Sequence, residues 1–167
     1  MAMVGLFWIA EDGGVYIGAK PDGYGRGVRL TSAGVEGLGT DQGGHWAWAE
    51  VRGVAVKYVK IRSAGRLLVG AAFDLVGTAV TGHGDAPGAF EVHVDTGDGS
   101  VVELEAYMAP AGGGYVPSEY ELSMKLLDRL AGGTANVDAL EAWGRTHGIE
   151  GTPRREEREA LLKEWAS

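Results

Sequence analysis

Cysteine is absent from the chain. Disulfide staples, thiolate metal sites and cysteine nucleophiles are excluded together, and a reducing, cytoplasmic setting is expected. No apolar run reaches the roughly 18–20 residues that span a bilayer. The apolar stretch Met1–Ala10 lacks a basic leader and soon meets Glu11-Asp12, so it does not read as a signal peptide. Positive charge is scarce: 15 Lys and Arg stand against 23 Asp and Glu, for a net charge of −8. Such a balance repels phosphate backbones, and no nucleic-acid partner is expected. The sequence also lacks the Gly-x-Ser-x-Gly elbow, the His-Glu-x-x-His helix, the P-loop and the dinucleotide fingerprint. Histidine occurs only four times. No sequence signature marks the chain as an enzyme, the reading leans toward a non-enzymatic role without deciding it, and no cofactor is expected.

What it has in abundance is glycine, 29 residues, much of it placed between apolar runs as turn punctuation. The first half reads as strands. Leu6–Ala10 and Val15–Ala19 flank the turn Glu11-Asp12-Gly13-Gly14, and Val28–Thr31 and Val35–Leu38 flank Ser32-Ala33-Gly34. His45–Ala49 follows, with Trp46 and Trp48 expected on one strand face. A β-branched run extends from Val51 to Ile61. Phe90–Asp95 and Val101–Tyr107 form a hairpin around Gly97-Asp98-Gly99. Pairing Val94 with Val102, Val92 with Leu104 and Phe90 with Ala106 gives one apolar face; a slip of one residue would set apolar against charged side chains.

The last third reads as helical. Ser118 and Glu121 have capping-box spacing, Leu122, Leu126, Leu127 and Leu130 recur at helical intervals, and Gly132-Gly133 ends the run. A shorter helix is expected near Val137–Trp143. A last one is expected from Thr152-Pro153, as N-cap and N1, to about Trp165.

Gly27-Val28-Arg29-Leu30-Thr31-Ser32-Ala33-Gly34-Val35-Glu36-Gly37-Leu38, followed by His45-Trp46-Ala47-Trp48-Ala49-Glu50-Val51-Arg52-Gly53-Val54, resembles the bacterial pleckstrin-homology-like domain. Trp48-Ala49-Glu50-Val51 fits that family's Trp-x-x-Val strand opening. The resemblance covers roughly residues 5–131 with gaps. It implies an α+β fold: two packed antiparallel sheets forming a half-open barrel, capped by a C-terminal helix, Ser118–Leu130. It also implies a binding surface without shared catalytic residues. Residues 1–133 would form this domain and residues 134–167 a helical C-terminal extension. Two features depart from the family: the insertion Arg66–Val80 and the tail after Gly133. Phosphoinositide recognition would need a basic early loop, and here Lys20 and Arg26 are accompanied by Asp22.

The segment Leu67–Val80 is nearly all apolar. On a helical wheel Arg66, Gly70, Asp74 and Gly77 share one narrow face. A helix apolar over the rest of its surface is either buried or contacts a partner. Burial within the domain, as a helix or two strands, is one setting. An interface for self-association is the other, through Leu67, Leu68, Gly70, Phe73, Asp74, Val76 and Gly77. Membrane-surface insertion has little support, because few cations flank the segment.

Three smaller constellations remain. Trp46, Trp48 and Phe90 are either core or the lining of a pocket for an apolar small molecule. In the hairpin register Glu91 faces Glu105 and His93 faces Glu103. That face reads as a solvated outer sheet surface, although His93 and Glu103 are of the residue types that bind divalent cations. His83-Gly84-Asp85 reads as a loop. The leading expectation is a binding or scaffold module acting through protein–protein contacts, with self-association. The alternative is a small barrel that binds or converts an apolar small molecule in its interior.

Overall fold

A computed structural model describes residues 1–62, 88–109 and 114–167. The alternation of apolar and polar residues in the first third lays out six short strands that pair in chain order. These are β1 (Ala2–Val4), β2 (Phe7–Ile9), β3 (Val15–Ile17), β4 (Gly27–Leu30), β5 (Gly34–Leu38) and β6 (Gly44–Ala47), all antiparallel to their neighbours. Because side chains alternate across a strand, the register stacks apolar rows on one face. One row runs Ile9, Val15, Leu30, Val35, and another Val4, Phe7, Ile17, Val28. All eight are buried.

The second sheet contains β7 (Gly53–Lys57), β8 (Ala89–Asp95) and β9 (Val101–Tyr107), in that order. The expected hairpin register is found, with Phe90 opposite Ala106, Val92 opposite Leu104 and Val94 opposite Val102. Gly97 and Gly99 both adopt left-handed backbone (φ 76° and 90°), and Thr96 N–H closes the loop on the Ser100 carbonyl. The inward residues Val54, Val56, Phe90, Val92, Val94 and Leu104 are buried.

The fold is thus α+β with two antiparallel sheets, as expected, but the sheets are not closed into a barrel. Between the described residues of the two sheets no ladder forms. The seam is made by single contacts: Ala19 N–H donates to the Tyr107 carbonyl, and side chains from the β4–β6 region reach β9.

Three helices complete the chain: α1 (Pro117–Ala131), α2 (Asp138–His147) and α3 (Arg155–Trp165). α1 buries Tyr120, Ser123, Leu126, Leu127 and Leu130, and its Tyr120 hydroxyl donates to the Val56 carbonyl of β7. α3 lies against α1 and β1. Leu140 of α2 and Leu162 and Trp165 of α3 join the same hydrophobic cluster as the sheets, so residues 134–167 share the core of residues 1–133.

Several boundaries differ from the sequence reading. α1 begins at Pro117 with Val116 before it, and the Ser118 hydroxyl donates to Glu159 Oε1 (2.6 Å) instead of capping. α3 begins two residues later than Thr152-Pro153 suggests, because Thr152 Oγ1 accepts the Met3 N–H (3.0 Å). Trp48 lies in a 3-10 turn (Trp48–Glu50) just beyond β6, so Trp46 and Trp48 do not share a strand. β1 was not anticipated.

Candidate functional site

Both largely buried polar side chains of the described core stand where α1 meets the turn between β1 and β2. Gly5 makes that turn with a left-handed backbone (φ 60°), and a Cβ there would collide with the Ser123 hydroxyl. The close approach lets Ser123 Oγ accept the Leu6 N–H (3.1 Å) while donating to the Glu119 carbonyl (2.6 Å). The Glu119 carboxylate, only 3 % exposed as a residue, accepts the Gly5 N–H (3.3 Å). It also accepts two hydrogen bonds from Arg158, from Nε at 2.6 Å and Nη2 at 2.9 Å. Arg158 Nη1 donates to the Pro153 carbonyl (2.7 Å). This fork-to-fork pairing raises the guanidinium pKa above its ordinary value, chiefly through the Glu119 hydrogen bonds.

Beside this pair opens a cleft of about 340 Å³. Met1, Met3, Tyr115 and Val116 supply apolar wall, and Arg62, Glu119, Thr152 and Arg158 the polar part. Burial raises the Tyr115 phenol to about 12. A second, wider groove of about 570 Å³ lies between α2 and α3, with Trp143, His147, Pro153 and Leu161 in its walls. Trp143 packs edge-on against Trp165, ring centres 5.9 Å apart.

The residues singled out in the sequence fall elsewhere. Leu67, Leu68, Gly70, Phe73, Asp74, Val76 and Gly77 lie outside the described residues, as do His83-Gly84-Asp85. Phe90 is packed in the core, 1 % exposed. Trp46 and Trp48 are half-buried against that core, and the Trp48 indole N–H donates to the Thr31 carbonyl (2.8 Å). The structure brings together His93 and Glu103 as cross-strand partners and adds Glu91, whose Oε2 is 2.7 Å from His93 Nε2. Sequence reading noted Glu91 only as the partner of Glu105. It missed Glu119 and Arg158, which are 39 positions apart and carry no local pattern.

Comparisons with models of protein families, with curated proteins and with solved structures return no match to this chain.

Proposed function

We propose that this chain is a non-enzymatic binding or scaffold module that works through protein–protein contacts and associates with itself. The observation that carries the reading is the apolar composition of Leu67–Val80 and its place in the sequence. β7 and β8 are paired with Lys57 opposite Glu91, and the chain between them contains Leu67–Val80. The described apolar face of the sheet formed by β7, β8 and β9 already has α1 against it, with Val54, Val56, Tyr120 and Leu127 buried. Leu67–Val80 lies outside the described residues, and a nearly all-apolar stretch of sequence beside a core that the described residues already fill suits a contact surface. The polar groups support the same reading. Glu119, Ser123 and Arg158 are engaged in bonds that join α1, α3 and the β1–β2 turn, which is structural use.

The pleckstrin-homology-like reading belongs to the same proposal. That resemblance implies two antiparallel sheets in a half-open barrel followed by a capping helix; the two sheets and the helix after them support it, while the sheets are not closed into a barrel. A cytoplasmic location and a partner other than nucleic acid go with it, in keeping with the absence of cysteine and the net charge of −8. Among the described residues no helix is long and apolar enough to cross a membrane. The alternative, an apolar small molecule held inside the fold, requires space beside Trp46, Trp48 and Phe90, where Phe90 is already in close contact with its neighbours.

Size-exclusion chromatography with light scattering tests the proposal. The wild-type chain should run as an oligomer whose mass falls toward that of one chain on dilution, and Phe73→Asp should shift it to the monomer at all concentrations. A wild-type chain that stays monomeric at high micromolar concentration would overturn self-association.

A further inference from the structure

We propose that Glu91, His93 and Glu103 hold one divalent transition cation of the Zn²⁺ type on the outer face of the β8–β9 hairpin. The backbone puts the three side chains together. Glu91 and His93 are two apart on β8 and therefore share a face, and His93 stands directly opposite Glu103 on β9. One donor atom from each lies within 4.8 Å of the other two. Donors around a metal with bonds of about 2.1 Å sit roughly 3–3.6 Å apart, so small side-chain rotations close the set.

Two further observations point to a cation. The His93 and Glu91 side chains are only 14 % and 19 % exposed, so their rotamers are already restricted, while exposed Glu103 leaves an open side for entry and for water ligands. Negative charge also outweighs positive on this face, where Lys57 stands opposite Glu91 without an ion pair to it among the described residues. Arg26 pairs with Glu105 at 3.0 Å, but among the described residues the only ion pair made by Glu91 is with His93, and Glu103 makes none. Like charges gathered on one sheet face destabilise it, and a bound cation would reverse that cost. The mixture of one imidazole with two carboxylates sets the class of ion. Mg²⁺ and Ca²⁺ prefer all-oxygen shells, whereas imidazole favours the later transition ions. The site would be independent of self-association through residues 67–77.

Isothermal titration of the full chain with zinc chloride tests this. One equivalent should bind, His93→Gln should weaken binding at least tenfold, and Glu103→Gln should also weaken it several-fold. His147→Gln, at the far end of α2, should leave it unchanged. Circular dichroism establishes that each variant is folded; should His93→Gln fail to fold, exposed Glu103→Gln decides alone. Absence of binding by the wild type, or binding that neither His93→Gln nor Glu103→Gln weakens, would overturn the site.

Discussion

The side-chain amide of Gln42 pairs with the backbone of Glu105 in both directions, Nε2 donating to the Glu105 carbonyl (2.9 Å) and Oε1 accepting the Glu105 N–H (2.9 Å). A glutamine thus stands in for the strand neighbour that β9 lacks on that side. The same Nε2 also reaches the Gly27 carbonyl of β4 (3.3 Å), so one side chain holds the two sheets in register where no ladder does. Nearby, Arg26 ties Asp41 to Glu105, and Asp41 is held below the usual carboxylate range chiefly by that hydrogen bond.

Gln42→Ala should leave three backbone groups without their partner and destabilise the fold by about 1–3 kcal/mol. Gln42→Glu should be at least as damaging. It keeps an acceptor for the Glu105 N–H but loses both donated bonds and sets a third carboxylate beside Asp41 and Glu105. Urea unfolding at neutral pH measures both. Wild-type midpoints would mean that water replaces the amide without loss.

The β8–β9 register was legible because its two faces differ so sharply: Phe90, Val92 and Val94 alternate with Glu91, His93 and Asp95, and only one alignment keeps them apart. The strands flanking Gly13-Gly14 and Gly34 were legible for a similar reason. Helix starts were not. Ser118 and Thr152 have the chemistry of N-caps, but Glu159 and the Met3 N–H, distant in sequence, claim their hydroxyls. Local capping is worth only about 1 kcal/mol, which a buried or bridging tertiary contact can match. The open seam between the sheets was illegible for the same reason, since Gln42 sits in a polar loop that announces no partner. The Glu91–His93–Glu103 cluster was half visible. Register paired His93 with Glu103, but the closeness of Glu91 depends on rotamers.

Glu119 and Arg158 are an ion pair in which each member depends on the other. The Arg158 side chain is 19 % exposed and that of Glu119 4 %, so removing either charge strands the other in a poorly solvated place. Glu119→Gln should cost about 3–5 kcal/mol, well above the 0–1 kcal/mol of an exposed pair. Arg158→Met should cost a similar amount. The double variant should recover a large part of the sum, because a neutral pair leaves no buried charge. A thermal-melt double-mutant cycle reads this directly. Additive losses would show that the two groups act separately and that the short geometry carries no coupling.

Tyr115 connects this corner to solution pH. Its backbone pairs with Lys60 and Arg62, the residue is 4 % exposed, and its hydroxyl accepts a long hydrogen bond from the Ala109 N–H (3.5 Å). Burial makes the phenolate costly and lifts the pKa from the ordinary 10.0 to about 12. The folded state therefore holds its proton more tightly than the unfolded chain does. The resulting stability is whole below pH 10, declines as the unfolded chain gains by ionising above that, and is lost as pH rises through about 12. A difference of this size corresponds to roughly 2–3 kcal/mol across the window. Tyr120 and Tyr107 are raised too, Tyr120 by burial and Tyr107 chiefly by its hydrogen bond to Glu105, and they slope the same way. Tyr115→Phe keeps the ring and removes the titrating group. Its alkaline stability curve should be flatter than the wild type's between pH 10 and 12, while the two curves run parallel near neutrality. Absorbance at ~295 nm should show one fewer late-ionising tyrosine in the folded variant. An unchanged alkaline slope would mean that the phenol is not held neutral by burial in this corner of the fold.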